Sequence, residues 1–456
     1  MEIFDRHVPE EWTPGRTVVF AGAGVITMDP AAGDFVGDVV VTGSTISAVG
    51  PSAGSPVADD ALVIDATGTV ITPGLVDGHV HAWEGALRGV SPDSEIMAYL
   101  NLTHTTLAPL MTPEDMAIGE RVTATRALEQ GVTTIVDNSH NVRSLEHGQA
   151  VVDALREAGL RAVVAAGVGL GHPDAHLHRA VLDLRDHCAA DPRIDVRLME
   201  LFPSVAGLRF AAENGVGLVA ETIAGMGDLD AVMTTELLGP QVTLDHVLGL
   251  ADSHWQAIAA SGAAIALVPR SDPHYGLAAA GPVLTANRFG VQEAISTDNE
   301  FEYGSDILGE LRTLLITQRG QAYAAAGTGA ADAPRPYGVR DALRAATVGG
   351  ARAAGLSGTI GVLAPGAKAD LTVFSLARLR PIASYLGAVA GYAESQDVTA
   401  VVVDGVPRKW AGEVLGVNRD ELARQAEESR DRLLKQVGVD VDSLRFAGSL
   451  ELPGAH

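Results

Sequence analysis

The sequence has one cysteine, few aromatic residues, a shortage of basic side chains and no long apolar run, and each absence excludes something. With Cys188 alone in 456 residues no internal disulfide can form, so a secreted setting gains no support and a reducing compartment, the cytoplasm, is expected. Cys188 itself, in "DHCAAD", reads as an ordinary helix residue rather than a nucleophile. No stretch reaches the roughly 18 consecutive apolar residues of a membrane-spanning helix. The N-terminal "MEIFDRHVPEEWTPGR" is acidic and has no apolar centre, so it is not expected to act as a secretion signal. Lys and Arg total 32 against 57 Asp and Glu, a net charge of −25. Acids spread along the chain repel phosphate backbones and anionic lipid, which argues against nucleic acid and membranes as partners. A small-molecule substrate is expected instead.

What is present is enough apolar residue for a sizeable core, in a chain long enough for two domains or one large barrel with an appendage. Residues 17–72 read as short strands punctuated by glycine: "TVVFAG", "GVITMD", "DVVVTGSTISAVG" and "ALVIDATGTVI". The G-x-G in "FAGAGVI" lacks a third glycine and a following helix, so it is not a dinucleotide site. From about residue 73 apolar strands alternate with helical stretches, as in "GVTTIVDNS" followed by "EHGQAVVDALREAG". Counting "PGLVDGH" as the first, such strands fall near 75, 133, 163, 196, 217, 243, 264 and 293. Near-continuous apolar strands joined by helices predict a parallel sheet with both faces covered, and eight units predict a closed (β/α)8 TIM-type barrel. A helix around 339–355 would close it. Past 356 short strands return, in "GTIGVL", "ADLTVFSL" and "VTAVVVDGVPRKWAG". The expected organisation is therefore a barrel over 73–355 and a small β-sandwich domain built from 1–72 and 356–456. "NRDELARQAEESRDRLLKQVG" predicts an amphipathic helix capped by Asn418, and the small residues of 320–336 predict a loop.

Barrel enzymes place their chemistry at the C-terminal ends of the strands. His79 and His81 end the first strand. Side chains at i and i+2 of a strand share a face, so both imidazoles can reach one metal ion. An H-x-H alone is a weak signal; its place after "PGLVDG" at the end of the first barrel strand strengthens it.

"VITPGLVDGHVHAWEGALRG" resembles the amidohydrolase superfamily, and within it the cytosine deaminase and chlorohydrolase-like branch of amino-heterocycle deaminases. "MTPEDMAIGERVTATRALEQGVTTIVDNSH" and "AATVGGARAAGLSGTIGVLAPGAKADLTVF" are similar to the same superfamily, so the resemblance spans roughly residues 20–430. It implies one divalent metal, zinc ahead of iron or manganese. It also implies ligands from the H-x-H pair, from a fifth-strand histidine and from an eighth-strand aspartate, with a sixth-strand histidine assisting. On this chain His79 and His81 match the pair, "TLDHVLG" places His246 and "ISTDNE" places Asp298. "LVAE" supplies the proton-shuttling Glu221 but has Leu218 where the histidine belongs. Leucine has no lone pair. His79, His81 and Asp298 would then hold the metal with water completing the shell, and His246 could add a fourth ligand.

Other polar residues carry both functional and bland readings. Trp83 can wall the pocket or simply pack, and His140, ending the second strand, can line it. His172, His176 and His178 in "GHPDAHLH" read as exposed loop histidines or as a source of a replacement ligand. Arg270 and His274, after the seventh strand in "VPRSDPHYG", can bind substrate, Arg270 by anchoring a carboxylate or carbonyl. Arg88 equally well fills a structural ion pair.

The resemblance favours a metal-dependent hydrolase of C–N or C–halogen bonds in a small heterocycle or amidine, with metal-bound hydroxide as nucleophile. His246, Asp298 and Glu221 would handle the protons. Leu218 also admits a lyase, decarboxylase or isomerase on the same barrel with a weakened metal site. A non-catalytic binding protein is the third reading. A homo-oligomer is an expectation carried by the resemblance alone.

Overall fold

The computed structural model describes residues 4, 7–51, 60–170, 175–329 and 333–444. Eight strands follow one another around a barrel: β1 (Leu75–Val80), β2 (Val132–Ser139), β3 (Arg161–Ala166), β4 (Ile194–Glu200), β5 (Gly217–Ile223), β6 (Val242–Leu248), β7 (Ala264–Leu267) and β8 (Glu293–Ile295). Every neighbouring pair is parallel. The ring closes just past β8. There Val80 pairs with Asp298, the His81 N–H donates to the Asp298 carbonyl at 2.6 Å, and the Asp298 N–H donates to the His79 carbonyl at 3.1 Å.

The strands are apolar on both faces because both faces are covered. Val136, Val163, Ala165, Met199 and Val219 cluster inside the barrel, beside a second patch of Ala264, Ala266 and Ala294. The alternate residues Leu198, Leu218, Val242 and Leu244 face outward and join the large core shared with the surrounding helices. A continuous helical stretch from Val339 to Ala353 lies across β1 and β8, as expected for the closing helix. Its approach is too close for any side chain at two positions. A Cβ on Gly349 would lie 1.9 Å from the Glu293 carbonyl oxygen, and one on Gly350 would lie 2.4 Å from the Val76 Cβ.

Residues from both sides of the barrel in sequence build one nine-stranded mixed sheet. Thr69–Pro73, which leads straight into β1, pairs antiparallel with Leu371–Ser375 and so joins the two halves. Arg161, at the start of β3, reaches across to this sheet. It forms an ion pair with Asp370 at 2.7 Å and a second with Asp404 at 3.1 Å. The helix Arg419–Gln436 forms where it was expected, with the Asn418 side chain accepting from the Glu421 N–H at 3.2 Å. It packs on Pro113–Glu129, where Ser429 donates to Asp115 at 2.6 Å.

Two expectations change. Residues 320–327 continue the helix Ile307–Gly327 instead of forming a loop, because alanines in "GQAYAAAG" are the strongest helix formers and outweigh the glycines at either end. "GTIGVL" forms turns rather than a strand, with only a bridge between Ser357 and Ile360. No helix among the described residues is long and apolar enough to cross a membrane.

Candidate metal and active site

The C-terminal mouth of the barrel brings five of the expected residues together: His79, His81, Glu221, His246 and Asp298. The Nδ1–H of His79 donates to Asp245 Oδ2 at 2.9 Å, and the Asn138 amide donates to the same oxygen at 2.9 Å. His79 Nε2 is left facing Asp298 Oδ1 at 3.2 Å. His81 Nδ1–H donates to the Asn138 carbonyl at 3.0 Å. Its Nε2 lies 3.3 Å from the same Asp298 oxygen and 3.5 Å from Glu221 Oε1. His246 turns its Nδ1–H to Asp272 at 2.8 Å. One ligand atom each from His79, His246 and Asp298 falls within 4.8 Å of the others, and the same holds for His79, His81 and Glu221.

Backbone strain helps the convergence. His246, Val247 and Asp298 have φ of +63°, +50° and +63°, a left-handed region that non-glycine residues rarely adopt and that clusters at functional sites. It lets neighbouring residues aim at one point: Asp245 reaches His79 while His246, the next residue, also faces the mouth. Ser271 donates to Asp298 Oδ2 and fixes the carboxylate. Asp77, beneath, accepts from the N–H and hydroxyl of Thr297.

The donor set fits a cation. The outer nitrogens of His79 and His81 carry their protons to fixed acceptors, so their inner nitrogens present lone pairs to an acceptor-only carboxylate. Such a grouping needs protons or a metal between its members. The supporting carboxylate on His79 and carbonyl on His81 are the usual orienting partners of metal-bound imidazole. The electrostatics agree in direction. Burial opposes charge on His79, but Asp245 and Asp298 overcome it and hold its pKa well above the usual value. His81 is likewise driven up against burial, by Asp298, to about 9. Asp298 resists its own burial through the two histidines and is held well below the usual carboxylate range. Burial pushes Glu221 upward.

The other expected residues take different places. Leu218 belongs to β5 but not to the site. It pairs in unbroken parallel register with Val242 and Leu198, all three facing the outer core, while Val219 and Glu221 face inward. Trp83 is fully buried in the main core with its ring 5.4 Å from that of His140, so it packs rather than walls a pocket. Arg270 pairs with Glu310, donates to the Gly304 carbonyl and lies over the Tyr303 ring at 4.4 Å, so its charge is already matched. His274 is exposed beside Tyr303. His140 adjoins the site, its ring 4.2 Å from that of His81. Arg88 pairs with Glu300 at 2.7 Å. His176 and His178 belong to the helix Ala175–Cys188, with His178 stacked on Phe210, and His172 lies outside the described residues. Sequence reasoning missed Asp245, Asp272, Asn138, Ser271 and His104. A partial signal existed: Asp77, Asp137 and Asp245 lie within apolar strands and Asp298 just past one, where an unpaired acid is costly.

A parallel eight-stranded barrel with histidines and an aspartate converging at its mouth fits a metal-dependent hydrolase that holds a divalent cation. The chain belongs to the amidohydrolase family, whose model matches residues 70–201 and 204–408. It is 30% identical over 438 residues, 90% of this chain and 97% of the relative, to a 5-methylthioadenosine/S-adenosylhomocysteine deaminase of Desulforudis audaxviator. A deaminase of the same name from Halobacterium salinarum is also 30% identical, over 92% of this chain and 99% of its own. In fold it is similar to a zinc-bound adenosine deaminase from Xanthomonas campestris, with TM-score 0.77 and 23% identity over 93% of this chain and 100% of that one. It is equally similar to the zinc complex of an atrazine chlorohydrolase from Arthrobacter aurescens, with TM-score 0.78 and 20% identity over 91% and 100%. The protein is thus a hydrolase of the deaminase type.

Proposed function

We propose that the protein hydrolytically deaminates an uncharged 6-aminopurine nucleoside. The observation that carries this reading is the convergence of His79, His81, Glu221, His246 and Asp298 at one point of the barrel mouth. Full-length relatives that deaminate adenine-bearing thioether nucleosides support the substrate class. A cavity of about 430 Å³ past the ends of β3, β4 and β5, lined in part by Leu170, Leu201, Phe202 and Pro203 together with Glu200 and Asp228, has room for a nucleoside, although none of the five converging residues lines it. Charge argues against phosphorylated substrates. The chain carries −25, and Arg88 and Arg270, the basic residues considered for substrate, are paired with Glu300 and Glu310.

Residues His79, His81 and Asp298 would hold the metal, with His246 or Glu221 within reach of the same point. When bound, the metal supplies a nucleophile near neutral pH by lowering the pKa of water to about 7. Asp298, steadied by Ser271, accepts a proton on Oδ1. His246, held by Asp272 through Nδ1, presents Nε2 to hydrogen-bond and orient the reacting carbon's substituents. Glu221, whose pKa burial raises, delivers a proton from its carboxyl to the departing nitrogen. The sum exchanges the ring C–NH2 bond for C–O and releases ammonia for each water consumed. Leu218 faces away from this site, so it gives no support to a drier, non-hydrolytic centre. The lone buried cysteine agrees with a cytoplasmic setting.

The test is ammonia release from zinc-loaded protein across adenosine, 5′-methylthioadenosine, S-adenosylhomocysteine, AMP, cytosine, amino-triazines and chlorotriazines. Nucleosides should react and AMP should not, and Asp298→Asn should reduce the rate by on the order of a thousandfold or more. Release from triazines or cytosine alone would overturn the nucleoside assignment while leaving the hydrolase intact.

A further inference from the structure

Next to the centre described above, a second group of side chains is poised in the same way. Glu84 lies in the 3-10 helix Ala82–Leu87 that follows β1, His104 in the helical stretch Asn101–Leu107, and His140 just past β2. They are 0%, 6% and 2% exposed. One ligand atom from each lies within 4.8 Å of the other two. Glu84 Oε2, His104 Nε2 and both ring nitrogens of His140 have no hydrogen-bond partner.

A buried polar atom without a partner costs about 1–3 kcal/mol. Four of them on three converging residues are not explained by packing. The surroundings orient the three groups without satisfying them. Tyr99 donates its hydroxyl to Glu84 Oε1 at 2.8 Å and so leaves Oε2 as the free oxygen. The bare backbone of Gly169 makes room for the His104 ring, since a Cβ there would lie 2.6 Å from His104 Nδ1. His104 and His140 stand with ring centroids 4.2 Å apart, and His81 lies at the same distance on the far side of His140. A further buried acid, Glu302, has both oxygens unpartnered and lies near enough to Glu84 for mutual repulsion. No basic side chain of Arg or Lys pairs with either acid among the described residues.

We propose that Glu84, His104 and His140 form a second metal site for a divalent cation of the zinc class, distinct from the His79–His81–Asp298 centre. Two imidazole nitrogens and one carboxylate oxygen are a donor set that holds zinc and leaves a position open. The cation satisfies Glu84 Oε2, His104 Nε2 and one nitrogen of His140 at once, and its charge offsets that of Glu84 and Glu302. The two sites share no ligand. The inference does not depend on the nucleoside reading.

The test uses untagged full-length protein stripped of metal, saturated with zinc or cobalt(II) and freed of excess. Wild type should hold two ions per chain. His104→Ala and Glu84→Gln should each hold one, with the cobalt spectrum of the remaining ion unchanged, whereas His79→Ala should lose the other. Melting temperatures report whether each variant is folded. Zinc-soaked wild-type crystals give a readout that needs no variant: an anomalous peak is expected between Glu84, His104 and His140. One ion per chain at saturation, or a second ion with no peak at these residues, overturns the proposal whether or not any substrate is turned over.

Discussion

Asp245 touches no substrate position, yet it decides what His79 can do. It takes the Nδ1 proton of His79, which leaves Nε2 with its lone pair turned to Asp298. In Asp245→Asn the acceptor is neutral and the imidazole loses its fixed tautomer. Metal affinity should fall by roughly 10–100-fold while the fold is kept, measured by competition with a chelator of known affinity. Unchanged affinity would show that the orienting carboxylate is dispensable. Glu293, at the opposite end of the barrel, makes a different claim. It accepts from the Tyr337 hydroxyl at 2.6 Å and its second oxygen has no partner. Burial raises its pKa from 4.5 to about 7. The folded chain therefore keeps a proton that the unfolded chain gives up, so this group's contribution to stability falls as pH rises from 4.5 to 7 and is level above that. Glu293→Gln removes the titration. Relative to wild type its stability should improve across that window, by roughly 3 kcal/mol at the limit set by 1.36 kcal/mol per pH unit. Melting curves from pH 4.5 to 8 check this, and a constant difference between the two proteins would refute it.

At the scale of the element, β5 shows how a motif and a strand can disagree. The H-x-x-E spacing puts its two members on opposite faces of a regular strand, so both can face a metal only where the strand bulges between them. Here pairing runs without a shift from Leu218 to Glu221, and the irregularity comes after Glu221. Leu218→His should therefore not restore a ligand. It should add no metal affinity and should cost about 1–3 kcal/mol by burying an unpartnered imidazole among apolar side chains. Tighter zinc binding in that variant would mean β5 is bulged in solution. The same logic separates what the sequence made legible from what it hid. Strand positions, the closing helix and the pair His79 and His81 follow from periodicity and local spacing. Asp298 and His246 were placed by the resemblance to the amidohydrolase superfamily, in "ISTDNE" and "TLDHVLG". The partners of Asp245 and Asp272, His79 and His246, were hidden because they are brought together only by the folding of the barrel. The ion pair of Arg270 was hidden for the same reason, since nothing near it in sequence announces Glu310.

For the whole molecule, the contact between barrel and mixed sheet turns on Arg161, whose guanidinium is buried and meets Asp370 and Asp404. Its charge stays on, the two carboxylates outweighing burial and raising its pKa. Asp370→Ala leaves that charge with Asp404 as its one carboxylate and the Pro192 carbonyl as a neutral acceptor. Breaking a buried pair from one side costs about 3–5 kcal/mol, so denaturant midpoints should drop sharply. A change within 1 kcal/mol would show that Asp404 alone suffices.

The seam where the barrel closes is also where the first centre is made. His79 and His81 belong to the first strand, Asp298 follows the last, and 219 residues separate His79 from Asp298. The two ends of the barrel are joined by the same backbone bridge that sets these side chains face to face. A chain emerging from the ribosome carries the histidines early and the aspartate only after every other barrel strand has been made. An incomplete barrel therefore lacks Asp298, and this first group of side chains can converge only when the ring is finished.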